Sequence, residues 1–100
     1  MINKHTTDYF DAYLGDEHWS KFANSVLTSA RAIEHDLEET NDKVDEIVSI
    51  LTIMLGKKTH ATEWLNYHLP VLGNTRPIDL LSVDEDYAVR VLRSVIVEMP

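Results

Sequence analysis

Every glycine, and every proline short of the final residue, falls between segments whose apolar residues recur at helical spacing. Glycine weakens a helix through backbone entropy, and proline removes a hydrogen bond and clashes with the preceding turn. Gly15, Gly56, Pro70, Gly73 and Pro77 therefore divide the chain into helices before any other property is considered. No convincing run alternates apolar and polar residues with period two, so no strand is expected. The pattern predicts an all-α fold, a compact bundle of five or six helices.

The segments can be read in order. Thr7 to Leu14 places Tyr9, Phe10, Tyr13 and Leu14 on one face, and Gly15 is a C-terminal stop. Asp16 can cap a long helix whose apolar positions are Trp19, Phe22, Ala23, Val26, Ala30, Ile33 and Leu37. That element reaches about residue 40, on the order of 35 Å. The polar cluster 38–42 supplies a turn and a new N-cap, with Asp45 and Glu46 in the following first turn, where the helix dipole favours acids. Val44, Ile47, Val48, Leu51, Met54 and Leu55 then form a buried stripe up to Gly56. Together these two elements make a long N-terminal helical hairpin. A shorter helix runs from Thr59 to Tyr67, an irregular stretch follows, and Pro77 opens a short helix through Leu81. Ser82 or Asp84 caps the last helix, which repeats Tyr87, Ala88, Val91, Leu92, Val95 and Ile96.

One hundred residues suffice for one modest core. The absence of cysteine excludes disulfides and thiolate metal sites. The first residues are polar rather than signal-like, and the apolar run Ile47 to Gly56 is about half a bilayer span, so a soluble cytoplasmic protein without a membrane partner is expected. Charge divides unevenly. Residues 1–50 hold four Lys and Arg against eleven Asp and Glu, a balance of −7, while residues 51–100 hold five against six, completing the net −8. Nucleic-acid binding draws on clustered bases that displace phosphate counterions, and the first half would repel DNA.

Catalysis needs convergent polar groups, and none can be assembled: there is no glycine-rich phosphate loop and no elbow-type serine. His18 and His35 read as surface residues. His60 and His68, eight apart, could share a face only on an unbroken helix, and two ligands make no metal site. The acids of 34–46 lack the alternating pattern and central glycine of a calcium loop. The sequence predicts no enzyme, no cofactor and no metal.

From about Val44 to Met99 the order of motifs is distinctive. Ala61-Thr62-Glu63-Trp64-Leu65 ends a helix, Pro70-Val71-Leu72-Gly73 forms a loop, Arg76-Pro77-Ile78-Asp79-Leu80-Leu81 makes a turn, and Asp84 to Leu92 opens the closing helix. This ordered set resembles the toxin-binding domain of the Xre/MbcA/ParS family of bacterial antitoxins, partners of RES-domain toxins. The resemblance implies residues 44–100 as a toxin-binding helical module. Residues 1–43 are then an acidic helical region, a dimerisation or partner arm, most simply within one compact domain. Trp64, Leu65, Pro70, Leu72, Gly73, Pro77, Leu80 and Leu81 are the structural motif, with the Trp64 indole expected to be buried beneath the loop. Partner contact is expected from Tyr67, His68, Asn74 and Arg76, and from Arg90 and Arg93, although a solvated helix face explains these two arginines as well.

Members of the family bind toxins that consume NAD or transfer parts of it, and their C-terminal region approaches or plugs the toxin's cleft. The resemblance therefore implies neutralisation of a RES-type toxin by occlusion. Val97, Glu98 and Met99 stand where relatives continue into a glycine and a short tail, implying a shortened plug or inhibition through the helix face itself. Asn74 stands where relatives carry a second loop glycine, and asparagine tolerates the left-handed region. Relatives also carry a helix-turn-helix domain with a basic recognition helix; residues 16–40 offer one unbroken acidic helix instead, so DNA binding is not expected. The hairpin can form a homodimer through spare apolar surface that includes Trp19 and Phe22. The competing readings are a transcriptional repressor with a degenerate DNA-binding half and a helical adaptor protein.

Overall fold

The computed structural model describes residues 4–32 and 42–99. Six α-helices occur among them: α1 (Lys4–Asp11), α2 (Asp16–Ala32), α3 (Lys43–Leu55), α4 (Lys58–Asn66), α5 (Pro77–Val83) and α6 (Glu85–Glu98), with a 3-10 turn at Pro70–Leu72. The only strand-like feature among the described residues is an isolated antiparallel bridge between Leu69 and Thr75. The all-α expectation holds. Ile33, His35, Leu37 and the polar turn at 38–41 lie outside the described residues.

Local chemistry sets the helix ends. The Asp42 carboxylate accepts from the backbone N–H groups of Val44 (2.8 Å) and Asp45 (3.1 Å), meeting two donors that the first turn of α3 cannot satisfy internally. Asp84 does the same for Tyr87 at the start of α6. At the other end of α3, Gly56 takes φ 88° and returns its N–H to the Thr52 carbonyl. Pro77 occupies the first turn of α5, and Arg76 before it is extended, as the proline ring requires.

Helix α6 is the axis of the core. Ala88, Val89, Val91, Leu92, Arg93, Ser94, Val95 and Ile96 are all buried, so the helix is enclosed around most of its circumference. It packs on α1, α2, α3 and α5. Ile47, Ile50 and Leu51 of α3, Ala61 of α4, Leu80 of α5 and Trp19 and Ala23 of α2 complete one cluster with it. Helix α1 docks on α6 through half-buried aromatics, and the Phe10 ring stacks on Tyr87 with centroids 4.7 Å apart.

Two local expectations change. Helix α1 starts and stops about three residues earlier than its periodicity suggested, because the chain tightens through Ala12 and Tyr13 into Gly15 at φ 100°. Leu14 therefore lies beyond the helix, loses its place on the apolar face and is 69% exposed. Trp19 offers no surface for dimerisation: it is 2% exposed where α2 meets α3 and α6, with Phe22 half-buried beside it. One expectation stands beside them: α4 ends at Asn66, before Tyr67 turns extended, so the helix is broken short of His68 and the two histidines share no face.

Candidate functional site

The segment between α4 and α6 is held from inside by small apolar anchors. Leu72 is fully buried, Leu69 nearly so, and Pro77 and Leu80 are buried behind them. The backbone closes on itself: Leu69 N–H donates to the Thr75 carbonyl (3.2 Å) and Asn74 N–H to the Leu69 carbonyl (2.9 Å). Gly73 and Asn74 take φ 66° and 64° in succession, and Asn74 is the one non-glycine residue with positive φ among the described residues. A residue tolerant of the left-handed region is needed there, and asparagine is one.

The Trp64 indole does not anchor this loop. Trp64 is half-buried, and so are Leu65 and Leu81, while Pro70 and Gly73 are exposed. Helix α4 approaches α3 through Ala61, whose small side chain is the fully buried one on that helix. A bulky residue one turn later remains at the edge of the bundle. The enclosed indole is Trp19, from the acidic first half.

Of the residues expected to meet a partner, four lie on the loop surface. Tyr67 is 64% exposed, and His68 and Asn74 are exposed. The His68 Nδ1–H donates to the Asn74 carbonyl (2.8 Å), which braces the loop. Arg76 forms a two-pronged pair with Asp79, Nε and Nη2 each 2.8 Å from a carboxylate oxygen. That hydrogen-bonded pairing holds the Asp79 carboxyl below its ordinary value, with the His68 charge adding to it. His68, Asn74, Arg76 and Asp79 line a cavity of about 300 Å³ together with Leu80 and Val83.

The C-terminal candidates are placed differently. Arg93 faces inward, its side chain 8% exposed. Nη1 donates to the Tyr13 hydroxyl (3.0 Å) and lies 3.4 Å from Asp16, Nη2 lies 3.4 Å from Glu46, and the guanidinium covers the Trp19 ring at 5.2 Å. Arg93 is thus consumed within the fold and cannot pair with a partner's acids, because its position on α6 points to α2 and α3. Arg90 is exposed but sits over the Phe10 ring at 5.5 Å. Val97 and Met99 are half-buried against the core, and the exposed Glu98 lies near Tyr9, whose hydroxyl is raised by burial and then by the Glu98 charge.

The inward cluster of Tyr13, Asp16, Trp19, Glu46 and Arg93 escaped the sequence reading. One signal was available: Arg93 sits four residues after Val89 and three before Ile96, on the apolar stripe of α6, where an unpaired charge is costly. The other histidines are also placed by structure. His60 Nδ1 contacts the Leu55 carbonyl (3.1 Å) at the end of α3, and His18 lines a small cavity of about 40 Å³ beside Trp19. Among the described residues no three His, Asp or Glu converge as a metal set, and no helix is long and apolar enough to cross a membrane.

Fold and site together define an all-helical protein whose Arg93 is turned inward and in which four of the five exposed large apolar side chains, among the described residues, lie between α4 and α6. No protein-family model matches the chain, and no characterised protein or solved structure is significantly similar to it.

Proposed function

We propose that this protein is an antitoxin-type inhibitor that binds a RES-domain, NAD-consuming toxin and occludes its active site through the segment between α4 and α6. One observation carries the reading. Of the five exposed large apolar residues among the described ones, Tyr67, Val71, Ile78 and Val83 all belong to this segment, and only Leu14 lies elsewhere. Solvent-facing apolar groups concentrated on one segment, with His68 and Arg76 beside them, have the make-up of a protein interface. The ordered Trp64 to Leu92 motif supplies the toxin class. The enclosure of α6 favours docking through the loop over docking through the last helix, whose face is already occupied by α1, α2, α3 and α5.

The experiment follows from that geometry. Truncation at Arg90 would remove Val91, Leu92, Val95 and Ile96 from the core and unfold the protein, so point substitutions are required. With a purified RES-domain toxin, the intact chain is expected to suppress NAD consumption at stoichiometric ratio. Tyr67→Ala is expected to weaken binding about thirtyfold, the magnitude of an aromatic hot spot, and Val83→Asp similarly, with helical content unchanged. Undiminished NAD consumption with excess protein sinks the proposal.

A further inference from the structure

A second concave surface lies away from most of the proposed toxin-facing segment. Helix α1, the turn at Pro70 and Val71, and the end of α6 enclose a groove of about 580 Å³. Its walls include Tyr9, Ala12, Pro70 and Val71, which supply apolar surface, and its two charged residues, Asp8 and Glu98, are both acidic. His5 lines it too, but no lysine or arginine does. Both carboxylates belong to exposed residues, and Val71 is 44% exposed. Glu98 and Tyr9 both line the groove: burial first, and then the Glu98 charge, raise the Tyr9 hydroxyl above its ordinary value.

We propose that this groove is a docking site for a short basic and apolar segment of a partner protein. In that arrangement an arginine or lysine meets Asp8 and Glu98, and an adjoining aliphatic side chain lies against Tyr9, Pro70 and Val71. The occupant follows from charge complementarity. The groove offers two anionic acceptors, Asp8 and Glu98, and neither lysine nor arginine lines it to compete. Its volume lies in the range of sites that hold a few side chains, and apolar walls with a few convergent polar groups are the usual make-up of such sites. A second copy of this chain suits the groove less well, since a net charge of −8 would set acid against acid. The site goes beyond the occlusion reading, shares with it only the turn at Pro70 and Val71, and does not need the partner to be a toxin.

The test uses the full chain, labelled with ¹⁵N, and two capped peptides: one alternates leucine and arginine, the other replaces each arginine by glutamate. The basic peptide is expected to shift the amide signals of Asp8, Tyr9, Val71 and Glu98 while the acidic one does not, and added salt should weaken the effect. Asp8→Asn with Glu98→Gln is expected to reduce affinity about tenfold, as loss of two exposed charge pairs would. Both replacements keep the shape of exposed side chains, so the fold should be unchanged by circular dichroism, and Val71→Ser provides an independent loss of apolar contact. Equal shifts from both peptides, shifts scattered over the whole surface, or undiminished affinity in the doubly substituted chain would each overturn the proposal. So would self-association that buries the groove before any peptide is added. None of these outcomes depends on toxin neutralisation, so the two proposals fail separately.

Discussion

The Arg93 guanidinium lies over the Trp19 indole, 5.2 Å from the ring centroid, while the indole N–H donates to Glu46 at 2.6 Å and Glu46 lies 3.4 Å from Arg93. Cation, ring and carboxylate thus close a triangle across α2, α3 and α6. Tyr13 and Asp16 extend it to the junction between α1 and α2, and the Tyr13 hydroxyl donates to Asp16 at 2.5 Å. The arrangement ties the acidic first half of the chain to the enclosed last helix.

Removing the whole Arg93 side chain should therefore cost more than removing its charge alone. Arg93→Ala leaves the partly buried Glu46 without its cation and opens a cavity beside Trp19. The expected loss is about 3 kcal/mol, at the lower end for a broken buried pair because Glu46 keeps some access to water. Arg93→Met also strips Glu46 of its cation but retains the volume and contact with the ring, and should cost less. Urea unfolding of both variants checks this, and a loss under about 1 kcal/mol for the alanine variant would contradict a structural role.

Two positions test the left-handed backbone. A Cβ at Gly56 would meet nothing within 4 Å, so the cost of Gly56→Ala is purely conformational, about 1 kcal/mol at φ 88°. Asn74→Ala, at φ 64°, should cost a similar amount, whereas Asn74→Gly should change stability by less than about 0.5 kcal/mol. The His68 bond survives all of these changes because its acceptor is the backbone carbonyl. Thermal melts of the three variants decide the matter.

Stability should decline at both pH extremes for separate reasons. The Tyr13 hydrogen bond foremost, then the charge of Arg93, lowers the Asp16 carboxyl, and Arg76 lowers Asp79. A carboxyl whose folded value is depressed stabilises the fold above its unfolded value of 3.8, and this contribution is lost as pH falls through the folded value. Both side chains are exposed to water, so the effect is modest. Asp16→Asn should flatten the acid limb of a stability profile between about pH 5 and pH 2. Burial chiefly raises Tyr13 and Tyr9, helped by Asp16 and Glu98 respectively. Their contribution is complete below the unfolded value of 10.0 and is lost as pH rises beyond it, so Tyr13→Phe should soften the alkaline limb.

Charge makes a further prediction about nucleic acid. With four bases against eleven acids in residues 1–50, fluorescence anisotropy on promoter DNA should show no binding even at low salt. Affinity that collapses as salt is added would favour the repressor reading.

Much of the architecture was legible because its causes are local. Asp42, Gly56, Pro77 and Asp84 punctuate the chain through their own side chains or backbone freedom, and each acts within four residues of itself. The loop residues Tyr67, His68 and Asn74 were legible as surface for the same reason: they flank a turn that proline and glycine force outward. Leu14 was misplaced by extending a helical phase beyond the residue where the helix stops.

By itself, then, the sequence determined that the chain is helical and where α3, α5 and α6 begin, since periodicity and capping are short-range. Only tertiary structure decided what each face meets. Two tryptophans on similar amphipathic helices have opposite fates: Trp19 is enclosed because α2 lies where α3 and α6 converge, and Trp64 stays half-open because α4 lies at the bundle's edge. The inward turn of Arg93 and the groove between α1 and the 70–71 turn depend likewise on contacts between residues far apart in the chain. Burial is a relation between surfaces, and one helix carries no record of its neighbour.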